Sequence, residues 1–335
     1  MSLSKKVPLV MFLTSTLAIY SNTTRADHGS MGFGIGTASP IITQTGITLP
    51  AGMWASGVIA QFTSFDNPSP SVLHDLSKDY GEVHSVKSQL TPSVFAAYGV
   101  TDNLTLGVRL PYVQRFGVSG GVDHHGGHHD VSDQGNPGGF GGVSLFSQYR
   151  IFNSVDNLNH LSLVAALTTP GATNVRSAGE RLETHFQPSS GSWNPAAGLS
   201  FTRAMGKVSF DSSILYTVAT EGAQRTNLGD TFDYNVALSY AFVGTARNNL
   251  FVGSNNSPWT GILELNGQWQ DRQKTAGLTE PNSGSNIIYL SPGIRYSGGK
   301  NWNTALSIGT PIVKNINGYQ TPPDYRVTYR FVVAF

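Results

Sequence analysis

The sequence predicts an all-β chain folded as a transmembrane, antiparallel, up-and-down β-barrel of about 12 strands. Three observations point there. Segments with apolar residues at every second position recur along the chain, their connections alternate between long and short, and aromatic residues gather at both ends of the segments.

The period-two pattern is clearest at the C-terminus. Over Asp324–Phe335 the odd positions are Tyr325, Val327, Tyr329, Phe331, Val333 and Phe335, while the even ones include Asp324, Arg326, Thr328 and Arg330. One face of such a strand suits lipid and the other a polar lumen. The same reading gives strands near Met53–Phe65, Ser88–Val100, Leu104–Arg115, Gly139–Phe152, His160–Thr169 and Trp193–Ala204. It continues with Lys207–Thr220, Thr231–Phe242, Trp259–Asp271, Asn286–Tyr296, Trp302–Ile312 and Asp324–Phe335. Strands of about ten residues or slightly more match a tilted crossing of the hydrocarbon layer.

Connections then orient the barrel. Thr101-Asp102-Asn103, Asp156-Asn157 and Met205-Gly206 are short turns, assigned to the periplasmic side, and the long connections between them lie outside. Val243–Pro258 breaks this rule, which predicts either a misread strand or a structured periplasmic loop. Trp54, Tyr98, Tyr149, Tyr240, Phe242, Trp259, Tyr296, Trp302 and Phe335 form one aromatic girdle; Phe62, Tyr112, Tyr216, Phe232, Trp269 and Tyr325 form the other.

Composition excludes several alternatives. Charged residues are 12% of the 335, against a usual level of about 25%. After the first 26 residues no apolar run reaches the roughly 18 needed for a spanning helix. A net charge of +1 removes the basic footprint of a nucleic-acid binder, and zero cysteines remove disulfides and thiolate metal sites.

Residues 1–26 read as a signal peptide: Lys5 and Lys6, an apolar Val7–Tyr20, then Thr24-Arg25-Ala26 for cleavage. Residues 27–50, rich in Gly and Thr, either plug the lumen or lie in the periplasm; the loose periplasmic tail is favoured. Residues 51–335 are the outer-membrane barrel.

By strand parity Arg109, Arg150, Asp211, Asp233, Glu264, Arg295, Arg326 and Arg330 line the lumen. They either face a water-filled pore and set its ion preference or brace a closed interior. His124, His125, His128 and His129 sit in a Gly/His-rich outer loop; they are either polar decoration or a weak divalent-metal site, the one cofactor the sequence suggests. Should that loop not be the site, His28, His74 and His84 come next. Terminal Phe335 is the expected assembly signal for the barrel-assembly machinery. His160 and Ser162 share a lumen-facing edge but have no orienting third group, so catalysis is not expected.

The stretches His28-Gly29-Ser30-Met31-Gly32-Phe33-Gly34-Ile35-Gly36-Thr37, Thr48-Leu49-Pro50, Pro170–Arg176, Gly191–Pro195 and Gly222–Asp230 make the chain similar to a known family. It resembles outer-membrane transporters labelled "MetA-pathway of phenol degradation". The resemblance covers nearly the whole mature chain and implies a Gram-negative outer-membrane barrel passing small aromatic or hydrophobic compounds; it brings no catalytic residues. The expectation is therefore a porin-like channel or transporter for small solutes, surrounded by outer-membrane lipid and lipopolysaccharide. The alternative is a closed structural or binding barrel whose His-rich outer loop captures metal ions.

Overall fold

In the computed structural model, residues 40–80, 83–124, 128–177, 180–245, 258–298 and 301–335 are described. The expected signal peptide and residues 27–39 lie outside them.

The barrel strands are β1 (Trp54–Phe65), β2 (Ser88–Thr101), β3 (Leu104–Phe116), β4 (Ser144–Asn153), β5 (Asn159–Thr168) and β6 (Asn194–Met205). They continue with β7 (Val208–Thr217), β8 (Thr231–Ala241), β9 (Trp259–Gln270), β10 (Ser285–Gly298), β11 (Trp302–Ile316) and β12 (Pro323–Ala334). Each strand pairs antiparallel with the next, and β1 pairs with both β2 (Trp54↔Tyr98) and β12 (Ala55↔Ala334). The sheet therefore closes on itself and leaves no edge, which a strand in lipid requires.

Parity runs as the sequence predicts. Tyr325, Tyr329 and Phe335 are exposed, while Arg326, Thr328, Arg330, Val332 and Ala334 are buried. Exposed Val94, Leu145, Leu163, Leu263 and Ile308 make an aliphatic belt between the girdles. Girdle rings touch across strands: Trp54 and Tyr98 at 4.7 Å between centroids, Trp259 and Tyr296 at 4.7 Å, Phe62 and Tyr325 at 6.1 Å. Such neighbouring rings hold the strand ends at the two lipid interfaces.

Turn chemistry fixes the short connections. Met205 pairs with Val208, leaving Gly206 and Lys207 as a two-residue turn, and Gly206 has the positive φ (+59°) that such a turn demands. Strands β8 and β9 pair directly, so they are neighbours in the barrel on either side of the long Val243–Pro258 connection. Residues 246–257 of it lie outside the described part. The segment expected as one strand over Gly139–Phe152 is broken: Gly138–Phe140 pairs with β3, and β4 begins only at Ser144.

The outer loops carry structure of their own. Helix α1 (Pro70–Tyr80) lies in the first. Val83–Ser85, Val118–His124 and His128–Gly135 form a three-stranded sheet above β3, so the His-rich loop is a hairpin at the level of the backbone.

Candidate functional site

Residues 40–49 run through the periplasmic half of the lumen, and each of them is buried. This corrects the periplasmic-tail expectation for these ten positions. Few of their backbone groups have a ladder partner, and buried N–H and C=O groups must be satisfied somewhere. Wall side chains do it. Glu264 accepts from the N–H of Ile42 (3.1 Å) and of Thr43 (2.9 Å). The Gln44 N–H donates to Ser213 Oγ (3.2 Å), and the Gly46 N–H to Thr202 Oγ1 (2.8 Å). Gln148 Nε2 donates to the Thr45 carbonyl (2.7 Å), Ser162 Oγ to the Gly46 carbonyl (2.7 Å), and Leu49 N–H to Thr105 Oγ1 (2.8 Å). Arg330 Nη1 donates to the Pro40 carbonyl at 2.7 Å.

Packing complements these bonds. Ile41 and Ile42 cluster with Ile262 and Ala305, and Leu49 joins Ala55, Ile59, Phe95, Ala97, Phe146 and Val332 near the periplasmic end. A Cβ on Gly46 would lie 2.5 Å from the His160 carbonyl oxygen, and one on Gly293 would lie 2.5 Å from Ile41 Cδ1. Both glycines let plug and wall approach closely.

Above the plug a cavity of about 300 Å³ occupies the outer half of the lumen. Its wall combines Arg109, Arg115, Asp233 and Gln89 with apolar Pro111, Val113, Leu215 and Leu228. The third outer loop contributes Pro188–Ser192, held in place because Arg115 Nη1 donates to the Phe186 and Gln187 carbonyls at 3.1 and 3.2 Å.

The sequence-predicted charges divide between these layers. Arg109, Asp211, Glu264, Arg295, Arg326 and Arg330 are buried inside the barrel. Arg326 donates to Asn266 Oδ1 at 3.0 Å and lies 4.0 Å above the Tyr289 ring, and Arg109 reaches Ser93 Oγ at 3.2 Å. Asp211 accepts from Thr202 Oγ1, the hydroxyl that also binds Gly46. Asp233 is half-buried beside the cavity and accepts from Gln268 Nε2 at 2.9 Å. Arg150 is the exception. It is half-exposed at the periplasmic rim, where Asn103 Oδ1 accepts its Nη2 at 2.8 Å and the β4–β5 register slips between Arg150 and Phe152.

His125 lies outside the described residues. The backbones of His124, His128 and His129 pair in the outer hairpin, and their side chains are likewise outside the description. Phe335 is exposed, and its backbone exchanges two bonds with Trp54 across the β1–β12 seam. Ser162 holds the plug, and His160 Nε2 contacts the Asn157 carbonyl at 3.1 Å. Sequence reading missed Thr105, Gln148, Thr202 and Ser213, neutral side chains whose only mark was inward parity.

A closed 12-stranded barrel with aromatic girdles and a polar, plugged lumen defines a porin-like protein of the bacterial outer membrane. The chain belongs to the family described as "Putative MetA-pathway of phenol degradation", which matches residues 80–331. Its fold is similar to that of an outer membrane channel from Pseudomonas putida F1, with a TM-score of 0.58 at 16% identity over 86% of this chain and 97% of that one. The monoaromatic hydrocarbon channel CymD aligns at a TM-score of 0.43 and 10% identity, over 86% and 89% of the two chains. No curated protein matches the chain.

Proposed function

We propose that the protein is an outer-membrane channel for small solutes and that its own segment 40–49 gates it. The observation that carries this reading is a cavity in the outer half of the lumen, with the periplasmic half filled by a segment held by side chains instead of by the barrel ladder. A net gain of about 0.5–1.5 kcal/mol for each neutral hydrogen bond makes such a segment displaceable. Removing a wall strand would break an entire ladder.

Small aromatic or hydrophobic compounds are the solute class we favour. A volume near 300 Å³ is at the small end of ligand pockets. Apolar Val113, Leu215 and Leu228 beside Arg109 and Arg115 suit a single ring bearing a polar or acidic substituent, and the family's description points the same way. The lipid-facing belt and girdles make membrane lipid and lipopolysaccharide its surroundings, and Phe335 is the handle we assign to the barrel-assembly machinery.

Liposomes carrying the purified barrel test this: phenols and small aromatic acids should enter faster than sugars of similar size, and planar bilayers should record brief openings. Absence of both flux and openings would overturn the channel. It would favour a closed binding barrel, the reading that the dense contacts of the plug support.

A further inference from the structure

Outside the lumen, one group of side chains has a geometry that neither the barrel nor the plug uses. His84 comes from the short strand Val83–Ser85 in the first outer loop, and Glu183 and His185 come from the third. Although 99 positions separate His84 from Glu183 in the chain, their ligand atoms and those of His185 all lie within 4.8 Å of one another. His185 Nδ1 is 3.2 Å from Glu183 Oε2, and His84 Nε2 is 3.6 Å from Glu183 Oε1.

These separations suit a metal. Zinc bound at about 2.0–2.2 Å by nitrogen and oxygen in a tetrahedron places its ligand atoms about 3.4 Å apart. Two imidazoles and a carboxylate are donors for Zn²⁺ and similar first-row ions; Ca²⁺ and Mg²⁺ prefer all-oxygen sites.

The surroundings hold the three ligands in place. Glu183 caps the single 3-10 turn Thr184–Phe186, where Phe186 N–H donates to the Glu183 carbonyl at 3.0 Å. Thr184 Oγ1 ties that turn to the Ala223 carbonyl of the next loop at 2.9 Å. Buried Val86, Val118, Leu182 and Phe186 pack together around it, and the Phe186 ring meets His84 edge-on at 5.1 Å. A Cβ on Gly120 would come within 3.0 Å of His84 Nδ1, so glycine there makes room for the imidazole. Both histidines are about 1% exposed, while Glu183 is half-buried and leaves the group reachable from solvent.

We propose that His84, Glu183 and His185 form a site for one divalent transition-metal ion of the Zn²⁺ type, which clamps the first and third outer loops together at the cavity rim. Because Pro188–Ser192 follow directly and line the cavity, an ion here would fix the shape of its outer wall.

The test uses the full barrel with His124, His125, His128 and His129 all changed to Ala, so that the hairpin tip contributes no imidazole. Titration calorimetry with ZnCl₂ should give one bound ion per chain. His84→Ala, His185→Ala and Glu183→Gln, each added to that background, should weaken binding about tenfold or more while heat-modifiable gel migration stays normal. No binding in the background protein would overturn the proposal, as would binding that all three substitutions leave intact. Should a substituted barrel fail to fold, Co²⁺ in the background protein decides: an intense four-coordinate visible spectrum supports the site, and the weak spectrum of the hydrated ion overturns it.

Discussion

Glu264, fully buried halfway along β9, accepts the backbone N–H groups of Ile42 and Thr43, 222 and 221 positions away in the chain. A carboxylate in a barrel wall is costly unless it is bonded. Here a segment without strand partners and a buried wall acid satisfy each other. Glu264→Gln removes the charge and one acceptor oxygen. A hydrogen bond to a charged group contributes about 1.5–3 kcal/mol, so the plugged state should lose roughly tenfold in its equilibrium. Single-channel recordings should then show about tenfold higher open probability, with the barrel intact on gels.

Gly46 offers a steric route to the same end. A side chain there would strike the His160 carbonyl oxygen and crowd Ser200 and Thr202. Gly46→Val should expel the segment, since overpacking of this kind costs about 1–3 kcal/mol. Limited proteolysis of the folded barrel is expected to cut near residues 40–49 in the variant and not in the wild type.

The outward face makes a separate prediction. Leu263 is exposed midway along β9, whereas Leu278 is exposed in the outer hairpin Lys274–Thr275/Leu278–Thr279. Leu263→Arg places a cation at the bilayer midplane and should cost about 2–4 kcal/mol in denaturant unfolding from lipid vesicles. Leu278→Arg should change stability by less than about 0.5 kcal/mol.

The seam is the basis of a fourth. Trp54 N–H donates to the Phe335 carbonyl at 2.8 Å, and Phe335 N–H to the Trp54 carbonyl at 2.9 Å. Deleting Phe335 removes both bonds and an outward ring at the lipid interface. Folded protein in the outer membrane should fall severalfold, measured as heat-modifiable material.

These relationships differ in how far the sequence discloses them. The wall was legible because lipid and lumen impose opposite demands on adjacent residues, so Tyr325 to Phe335 declare their faces within one strand. The plug was legible only as one of two readings of residues 27–50, with the tail favoured. Ile41 to Leu49 show no period, and their partners Glu264, Ser213 and Thr202 lie more than 150 positions away, where no local pattern reaches. His84 is readable as a lone candidate imidazole, but nothing local joins it to Glu183 and His185 about a hundred positions on, whereas His124 and His125 are adjacent in the chain. Helix α1 carries a local signal of its own. Ser69-Pro70 is an N-cap followed by proline at the first helical position, and the Ser69 carbonyl accepts the Leu73 N–H at 2.9 Å.

The gate itself is open to direct measurement because the chain has no cysteine. Thr45 Oγ1 and Thr202 Oγ1 are 2.8 Å apart, close enough for Thr45→Cys and Thr202→Cys to form a disulfide between plug and wall. Solute flux through the doubly substituted barrel should stop under oxidation and resume when the bond is reduced. Equal flux through the oxidised and reduced forms would contradict a channel gated by residues 40–49.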